Sequence, residues 1–410
     1  MHFTTLTAEE YASATRHSPR LFLAQLPEYG QWRTEQGDAI DYVGVRDGAQ
    51  LRGVALITYQ PWKKLFTRAI ITNGPTLDWE DTELVEFFFA QLAAYLATKK
   101  RVIALRITPN VPAAFYEDIT KTADSPLGAR VTEQLRAAGF QHIPVDPNDP
   151  ADIHFIYTKD IAGKSFEEIA DSLTKTMRRQ VKHVGRYGVE VHTGGVELWD
   201  TFYQLYESSR ERTEMAEISD YSAQLYTGMM EKLGPERSFL AIAYAHPATY
   251  LEEITANIAR LDEQIAQNST EPRTRKKEGA LKELGSQRAS LLKQETEARD
   301  LAQRYGNNVP FAGVLAFRWG DELVQLLRGF NKDFTTYNRD YPVESTLLRW
   351  AATHDISTYN TLGISGIFDA TGPDYPVLEY KRKLNGNVEE FIGTFALALR
   401  PEAKLTGALI

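Results

Sequence analysis

The 410-residue sequence contains no cysteine, which excludes disulfide bonds, a thiolate nucleophile and cysteine-ligated metal sites. It has no run of about 18 apolar residues, so no segment is expected to span a membrane. The N-terminal stretch lacks the apolar core and the cleavage site of a secretion signal. The absence of cysteine fits a reducing compartment, and we expect a cytoplasmic protein.

The motifs of several enzyme classes are also absent. The eight histidines are scattered without the spacing of metal ligands, so we expect no metal. Neither a Gly-x-Ser-x-Gly turn nor a Walker loop is present. A net charge of −9 argues against a protein that coats nucleic acid, although it permits a local basic patch.

What the sequence does contain is a globular composition, with 43% apolar and 25% charged residues, over a length that suits two domains. Alternating apolar residues predict a hairpin of strands 40–46 and 52–60. The elements expected after it are a strand at 68–72, a helix at 81–98, a strand at 101–107, a helix at 131–140 and a strand at 153–161.

The second half repeats this succession. Ser165 and Glu168 have the spacing of a capping box and open a helix that is expected to end near Gly185. Strands at 238–245, 309–319 and 322–330, a helix at 342–354 and a strand at 357–364 are predicted after it. Gly53 and Gly313 occupy the same place in the two halves, which favours two copies of one α/β unit.

Residues 246–306 interrupt the second copy. Their apolar positions step by three and four, at Leu251, Ile254, Ile258, Leu261, Ile265, Leu281, Leu284, Leu291, Ala298, Ala302 and Tyr305. This spacing predicts an antiparallel coiled-coil arm of two helices, each about 30 Å long. The basic turn of the arm fits either a solvated tip or a contact with RNA or a membrane surface. The expected domains are 1–160, 161–245 plus 307–410, and the arm.

A unit of this order resembles the acyl-CoA N-acyltransferase fold. The predicted fold is therefore mixed α/β (α+β), with two such domains in tandem and the inserted arm. Those enzymes hold the CoA pyrophosphate in a Gln/Arg-x-x-Gly-x-Gly/Ala loop that opens a helix. The match here, from Gln50 to Ala55, leads into an apolar strand, so its amides are expected to serve the sheet. We expect an acyl donor other than CoA, and no cofactor.

Several stretches in order resemble the Fem family of peptidoglycan bridge-forming aminoacyltransferases, which includes the MurM-type enzymes. Residues 357–395, STYNTLGISG…YPVLEYKRKLNGNVEEFIGTF, are similar to the family's Tyr-Asp/Asn-x-x-Gly-Ile-x-Gly, Phe-Lys-Lys and Gly-x-Phe pattern. Residues 72–96 (TNGPTLDWEDTELVEFFFAQLAAYL) and 172–191 (SLTKTMRRQVKHVGRYGVEV) look like two further segments of the family. The similarity covers essentially the whole chain.

The resemblance implies a reaction and its partners. An amino acid passes from aminoacyl-tRNA to the side-chain amine of the stem-peptide lysine or ornithine, either in lipid II or in the soluble UDP-MurNAc-pentapeptide. The protein is then expected in the cytoplasm, at the inner face of the membrane if it makes peripheral membrane contact, and the arm offers a surface for a homodimer. The donor amino acid, the number and position of bridge residues and the general base stay open.

The resemblance also assigns roles in a basic cluster, Lys381, Arg382 and Lys383, which follows the predicted strand 357–364 and a loop. An aminoacyl ester is already activated, so the reaction mainly needs alignment and stabilisation of an oxyanion, which a cation can provide. Lys381 falls on the first lysine of Phe-Lys-Lys and is the expected catalytic residue. Tyr380 stands where the family has Phe and keeps an aromatic beside the tRNA acceptor end. Arg382 replaces the second lysine and is expected to bind phosphate.

The acceptor side is less defined. Arg33 matches a basic position that holds a diphosphate in the family, and an ordinary surface arginine is the alternative. The family's Arg-x-x-x-Tyr pair has a disturbed spacing here because Ile218 occupies the arginine position, so Arg212 and Tyr221 are the candidates. Tyr341 is expected at a helix start, either facing the cleft or packing.

A basic helix is the candidate tRNA surface. Its cations are Lys175, Arg178, Arg179 and Lys182, with Arg186 just beyond. Arg178 and Lys182 are four residues apart and are expected to share a face that binds phosphate. A solvated helix with cations near its C-terminal end fits the same pattern.

Two other functions remain as alternatives. One is a tRNA-dependent transferase that acts on a different amine. The other is a non-catalytic scaffold that binds partners through the arm. The intact Tyr380-Lys381-Arg382 sequence argues against the scaffold.

Overall fold

The computed structural model describes residues 1–144, 153–182, 184, 188–210, 215–270, 274–337 and 341–409. These residues form a mixed α/β fold on two β-sheets, which agrees with the expected fold class at that level. None of the helices in these ranges combines the length and apolar character needed to cross a membrane.

Residues 1–144 provide the first group of elements. They are β1 (His2–Leu6), α1 (Ala8–Thr15), α2 (Pro27–Glu35), β2 (Ile40–Asp47), β3 (Gln50–Trp62), β4 (Phe66–Ile71), β5 (Thr76–Leu77), α3 (Thr82–Ala97), β6 (Val102–Ile107), β7 (Pro112–Glu117), β8 (Thr120–Asp124), α4 (Pro126–Ala137) and β9 (Gln141–Ile143).

The later ranges provide the second group. They are β10 (Phe155–Asp160), α5 (Phe166–Asp171), α6 (Lys175–Lys182), β11 (Val189–Gly194), α7 (Trp199–Arg210), α8 (Asp220–Leu233), β12 (Ser238–Ala245), α9 (Pro247–Thr270), α10 (Arg275–Tyr305), β13 (Val309–Trp319), β14 (Glu322–Phe330), α11 (Tyr341–Thr353), β15 (Thr358–Ile364), α12 (Tyr375–Lys381), β16 (Asn387–Phe391), β17 (Thr394–Ala398) and α13 (Glu402–Thr406).

The two sheets exchange strands between the halves of the chain. The first sheet has the order β1-β2-β3-β4-β6-β17-β9, with β5 paired to β3, and the second has β11-β12-β13-β14-β15-β10-β16-β7-β8. The C-terminal β17 thus lies between β6 and β9, while the β7–β8 hairpin extends the second sheet beyond β16. The domain boundary at residue 160 stays a prediction, but the sheets do not divide the chain there.

Each sheet contains the order of elements that the sequence predicts for both halves: three strands, a helix and a fourth strand. In the first, β2, β3 and β4 are antiparallel neighbours, α3 follows, and β6 pairs with β4 in parallel. In the second, β12, β13 and β14 are antiparallel, α11 follows, and β15 pairs with β14 in parallel. Gln50 to Ala55, whose amides are expected to serve the sheet, lies within β3 and pairs with β2.

The central strands β12 and β13 of the second sheet are buried on both faces, because alternate residues enter different cores. Ala241, Ala243 and Val314 face α5, α6 and α11, whereas Leu240 and Ile242 face α7 and α8. In the first sheet, α3 buries Leu84, Phe88 and Leu92 as predicted. The helix starts at the predicted place because the Asp81 side chain accepts a hydrogen bond from the Leu84 amide.

Helices α9 and α10 pack side by side over the predicted range of the insertion. Arg288, which interrupts the apolar seam of α10, pairs with Asp262 of α9. Near the body, four side chains of the two helices are buried in the core of the second sheet: Tyr250, Ile254, Ala298 and Leu301. Tyr305 also donates to Asp333 (2.6 Å). The base of the helix pair is therefore part of the folded body.

Two helices differ from their predicted bounds. α4 begins at Pro126, earlier than expected, because the Ser125 hydroxyl accepts from the Gly128 amide (3.0 Å) and caps it. The single helix expected from Ser165 to Gly185 is two helices, α5 and α6, although the capping box of Ser165 and Glu168 is present.

The break between α5 and α6 has a long-range cause. The amide and the hydroxyl of Thr174 both donate to the backbone carbonyl of Lys383 (3.1 Å each). The basic cluster at 381–383, which the sequence places after a strand and loop, lies at the end of the short helix α12 and in the turn that follows it.

Candidate active site

The parallel strands β14 and β15 diverge towards their carboxyl ends. Their pairing covers residues 322–324 and 358–360, but β14 continues to Phe330 and β15 to Ile364. The corresponding strands of the first sheet, β4 and β6, stay paired along residues 67–71 and 102–107. Ligands of α/β sheets bind at the carboxyl ends of parallel strands where neighbours separate. The gap between β14 and β15 is therefore the candidate active site.

A β-bulge in β14 brings two polar side chains to one side of the strand. The pairing with β13 passes from Gln325 to Leu327, so Leu326 is an extra residue. Arg328 donates a hydrogen bond to the Gln325 side chain. In a regular strand, residues 325 and 328 would point to opposite faces. The extra residue of the bulge places them on the same side.

Glu344, in the first turn of α11, is fully buried and accepts from four groups. Its Oε1 accepts from the Tyr359 hydroxyl (2.6 Å) and the Gln325 amide (2.9 Å), and its Oε2 from the Tyr380 hydroxyl (2.8 Å) and the Arg328 guanidinium. A buried carboxylate is tolerated when it is paired and hydrogen-bonded in this way. Because both oxygens are already committed, Glu344 orients its neighbours and is poorly placed to take a proton from a substrate.

The Tyr359 hydroxyl stays a hydrogen-bond donor to this carboxylate. Burial and the neighbouring Glu344 carboxylate hold the pKa of Tyr359 well above its usual value. Arg328 in turn donates to the Tyr380 hydroxyl (2.8 Å), and its guanidinium lies 4.8 Å from the centre of that ring. Tyr380 is thus fixed by hydrogen bonds and by a cation–π contact.

Lys381 ends α12 with only 7% of its surface exposed. Its Nζ donates to the backbone carbonyls of Gly363 (2.7 Å) and Leu362 (3.1 Å) at the end of β15. Burial lowers the pKa of Lys381 to about 7, an effect that Asp374 opposes and Arg328 reinforces. An ammonium group has three donors, so one remains beyond the two that the carbonyls occupy.

The turn at residues 363–366 (Gly-Ile-Ser-Gly) positions the backbone carbonyls that accept from Lys381. The Asp374 carboxylate accepts from both the amide (2.9 Å) and the hydroxyl of Ser365, which ties the turn to the start of α12. Gly366 has φ +79°, and a Cβ there would lie 2.5 Å from the Phe155 ring. The turn is therefore tightly constrained.

Arg382 is already engaged in ion pairs. Its guanidinium contacts Asp118 of the β7–β8 turn (2.7 Å) and Glu379 (2.7 Å), and hydrogen bonding to Asp118 raises its pKa. The pair with Asp118 links the first half of the chain to the cluster. A phosphate contact by Arg382 would have to share or replace these carboxylates.

Arg33 and Tyr221 lie close together on the neighbouring helices α2 and α8. Tyr221 packs edge-on against Trp32 (5.4 Å between ring centres) and is 48% exposed. Arg33 pairs with Asp38 (2.6 Å) and donates to the Tyr29 hydroxyl (2.9 Å). The structure thus groups two of the acceptor-side candidates on one surface, separate from the Lys381 contacts.

Tyr341 begins α11 and packs in the core of the second sheet. It is 7% exposed in the core of the second sheet, and its ring centre lies 6.0 Å from that of Tyr380. Its hydroxyl lies 3.5 Å from Nζ of Lys383. Arg212 and Arg186 lie outside the described residues.

Arg178 and Lys182 of the basic helix α6 lie on one face, as predicted, and both contact Asp171. Lys182 pairs with the Asp171 carboxylate (2.6 Å), and Arg178 donates to the Asp171 carbonyl (3.3 Å). Arg179 and Lys175 are exposed. Asp171 therefore neutralises part of the positive charge on the basic face of α6.

Three polar residues beside the gap are absent from the sequence-based predictions: Gln325, Arg328 and Glu344. The sequence could have indicated them, because each is a polar or charged residue at a position where the hydrophobic pattern predicts a buried apolar one. The bulge at Leu326, which brings two of them together, has no signal in a single sequence.

Comparisons with known proteins agree on one family. The FemAB family model matches residues 6–409. The aminoacyltransferase FemA of Staphylococcus epidermidis ATCC 35984 is 24% identical over 402 residues, which cover 96% of this chain and 95% of that protein. FemA of Staphylococcus aureus MRSA252 is 25% identical over 402 residues, which cover 96% and 94%. The crystal structure of FemX superposes with a TM-score of 0.77 at 19% identity over 99% of both chains, and so shares the fold.

Proposed function

The chain belongs to the FemAB family and is an aminoacyltransferase of peptidoglycan bridge synthesis, and we propose that it takes its amino acid from aminoacyl-tRNA. The proposed acceptor is the side-chain amine of the stem-peptide lysine or ornithine in lipid II, with the soluble UDP-MurNAc-pentapeptide as the other carrier of that amine. The observation that supports this most directly is the buried Lys381 ammonium beside the gap between β14 and β15.

The proposed reaction is aminolysis of an ester. The neutral acceptor amine attacks the ester carbonyl carbon and forms a C–N bond, and the bond from that carbon to the tRNA 3′-oxygen breaks. The proton that the amine loses ends on the departing 3′-oxygen. No covalent enzyme intermediate is needed, because the ester is already activated.

Lys381 is the proposed catalytic residue. The tetrahedral intermediate places a negative charge on the former carbonyl oxygen. The third donor of the Lys381 ammonium stabilises that charge from a buried position, where an electrostatic interaction is stronger than in water. The two backbone carbonyls hold the ammonium before substrate arrives, so little reorganisation is needed during the reaction.

The gap is the proposed site of the aminoacyl end, with Tyr380 at its wall. The Tyr380 ring offers a stacking surface, and the Glu344–Arg328 pair fixes its orientation. Further out, Arg382, Arg178, Arg179 and Lys182 are the proposed tRNA phosphate contacts. In this proposal the phosphates compete with Asp118 and Asp171 for those cations.

The acceptor is proposed to approach past Arg33 and Tyr221, with Tyr341 on the side of the gap. A guanidinium matches the oxygens of a diphosphate, and Tyr221 is sufficiently exposed to contact a sugar or peptide. Arg212 stays in the proposal as a second cation of this surface.

The proposal includes an architecture and a location. The two sheets are regarded as tandem acyl-CoA N-acyltransferase-like domains that use no cofactor, and α9 with α10 as an antiparallel coiled-coil arm with a surface for a homodimer. The protein is placed in the cytoplasm, with peripheral contact to the inner face of the membrane.

A transfer assay tests the reaction. Purified protein is incubated with tRNA charged with radiolabelled Gly, Ala, Ser or Thr, and with lipid II or UDP-MurNAc-pentapeptide that contains lysine or ornithine. Label in the acceptor, lost in Lys381→Met, is the expected result and identifies the donor. No label with any donor and either acceptor would overturn the proposed reaction, and a different amine or a scaffold would replace it.

A further inference from the structure

We propose that one end of the first sheet is a docking surface for an anionic lipid bilayer. It consists of residues 63–65 in the β3–β4 turn, residues 100–101 before β6, and residues 400–405 around the start of α13, called here the basic edge patch. The inference extends the proposed membrane contact to a particular surface, and its test does not depend on the transfer reaction.

The three segments are neighbours in the fold. β4 and β6 begin side by side, so the β3–β4 turn lies next to Arg101. The Arg101 guanidinium donates to the backbone carbonyls of Leu65 and Lys64 (3.0 Å each). On the other side, the Trp62 indole donates to the backbone carbonyl of Thr406 (3.3 Å), which joins the turn to α13. The patch is therefore one surface held by hydrogen bonds.

The charge of the patch is opposite to that of the whole chain. Its exposed cations are Lys63, Lys64, Lys100, Arg101 and Lys404. Its three segments contain one acidic residue, Glu402. Among the described residues, none of the five cations forms an ion pair in the structure, whereas the net charge of the protein is −9. A cluster of unpaired cations on an acidic protein fits an anionic partner.

Two exposed leucines favour a bilayer over a nucleic acid. Leu405 is 84% exposed and Leu65 is 69% exposed, and these are the two most exposed large apolar side chains in the described ranges. Leu65 follows two lysines with positive φ, at +44° and +63°, which form the tight turn that presents it. A phosphate backbone gains little from an exposed leucine, whereas a bilayer interface accepts both apolar side chains and cations.

The patch is separate from the candidate active site. It shares no residue with the contacts of Lys381, Glu344 or Tyr380. It lies at the amino-terminal ends of β4 and β6, in the first sheet, whereas the gap lies at the carboxyl ends of β14 and β15 in the second. Docking through the patch therefore occupies none of the residues that line the gap.

The test is co-sedimentation of the full chain with vesicles that contain no lipid II. One set is pure phosphatidylcholine, and the other is phosphatidylcholine with phosphatidylglycerol. We expect binding to the anionic vesicles only, weakened by salt. K63E/K64E is expected to lose at least about tenfold in partition coefficient, since one cation near an anionic leaflet changes it about fivefold. L65S/L405S is expected to lose at least about tenfold as well, because it removes the two apolar side chains that would be buried in the bilayer interface. Circular dichroism verifies that both variants are folded.

The matched control is K282E/K293E, which makes the same charge change at two exposed lysines of α10 and should change partition less than about twofold. Equal partition on the two vesicle types, or an equal loss in the control, would overturn the proposal. So would tRNA binding that K63E/K64E weakens and L65S/L405S leaves intact, without vesicle binding. A variant that no longer binds vesicles but still transfers to the soluble acceptor separates failure of docking from failure of the reaction.

Discussion

The Nζ atom of Lys381 lies 2.7 Å from the carbonyl oxygen of Gly363, so the side chain of one family motif is held by the backbone of another. The Leu362 carbonyl is the second acceptor, and Leu362 adopts the left-handed φ of +63°. Substrate is not needed to place this amine. The catalytic proposal thus depends on a preformed contact, and it makes measurable predictions.

Replacing Lys381 by methionine removes the amine while filling most of its volume. We expect the rate of transfer to fall about 10²–10³-fold, the usual effect of losing one oxyanion donor. The matched control is Lys159→Met. Lys159 is also buried, with a pKa lowered to about 8 by desolvation, but it donates to Asn385 (3.1 Å). A similar loss of rate in both variants would mean that Lys381 acts through folding alone.

The pH dependence of transfer distinguishes a cationic from a basic Lys381. The acceptor amine must be neutral, so its reactive fraction rises tenfold per pH unit below about 10. With the pKa of Lys381 at about 7, the cationic fraction falls tenfold per unit above that pH. The logarithm of kcat/KM should therefore rise with slope one below pH 7 and level off above it.

The variant Lys381→Arg provides the pH dependence of kcat/KM for a side chain that stays positively charged at every pH of the assay. In this variant kcat/KM should continue to rise above pH 7, even if its absolute value is lower. A neutral Lys381 that removes a proton from a protonated acceptor amine would give the same wild-type profile, so the variant distinguishes the two roles. A Lys381→Arg profile that does not rise above pH 7 would contradict the cationic role.

Arg328→Met should destabilise the protein strongly. It leaves the carboxylate of Glu344 buried without its cation, which costs about 3–5 kcal/mol in the free energy of unfolding. Adding Glu344→Gln removes the buried charge and should restore a large part of that loss. Urea unfolding of Arg328→Met, Glu344→Gln and the double variant measures this coupling. A loss of unfolding free energy in the double variant that equals the sum of the two single losses would contradict it.

Shortening the α9–α10 pair should leave the body folded. Replacing residues 259–290 by a short Gly-Ser linker keeps the buried base residues Tyr250, Ile254, Ala298 and Leu301 in place, so thermal unfolding should change little. Deleting residues 247–305 removes that base as well, and the cost is about 1.5–3 kcal/mol for each large apolar side chain. Equal stability of the two deletions would show that the base does not support the core.

The sequence predicts best what depends on neighbouring residues. Alternating apolar residues mark β2 and β3, continuous apolar runs mark β12 and β13, and the capping side chains of Asp81 and Ser165 mark helix starts. Pairings between distant segments are harder to predict. The break at Thr174 depends on Lys383, and the position of Arg382 depends on Asp118. No periodicity in one sequence reports such contacts.

The same distinction applies to the candidate site. Lys381 and Tyr380 are identifiable by resemblance, because their motif is local. Glu344 and Arg328 are not, because their pairing needs α11, the bulged strand β14 and α12 together. A strict alternation rule places Gln325 and Arg328 apart, and the bulge makes that rule wrong at this one position.

The place of β17 has a consequence for biosynthesis. A ribosome delivers β6 and β9 long before residues 394–398, which must later enter between them. Until residues 394–398 have been made, the edge of β6 that pairs with β17 has no partner, and such an unpaired edge attracts other chains. A nascent chain that has not reached residue 394 is therefore exposed to aggregation in its first half, and its first sheet is complete only once β17 has been made.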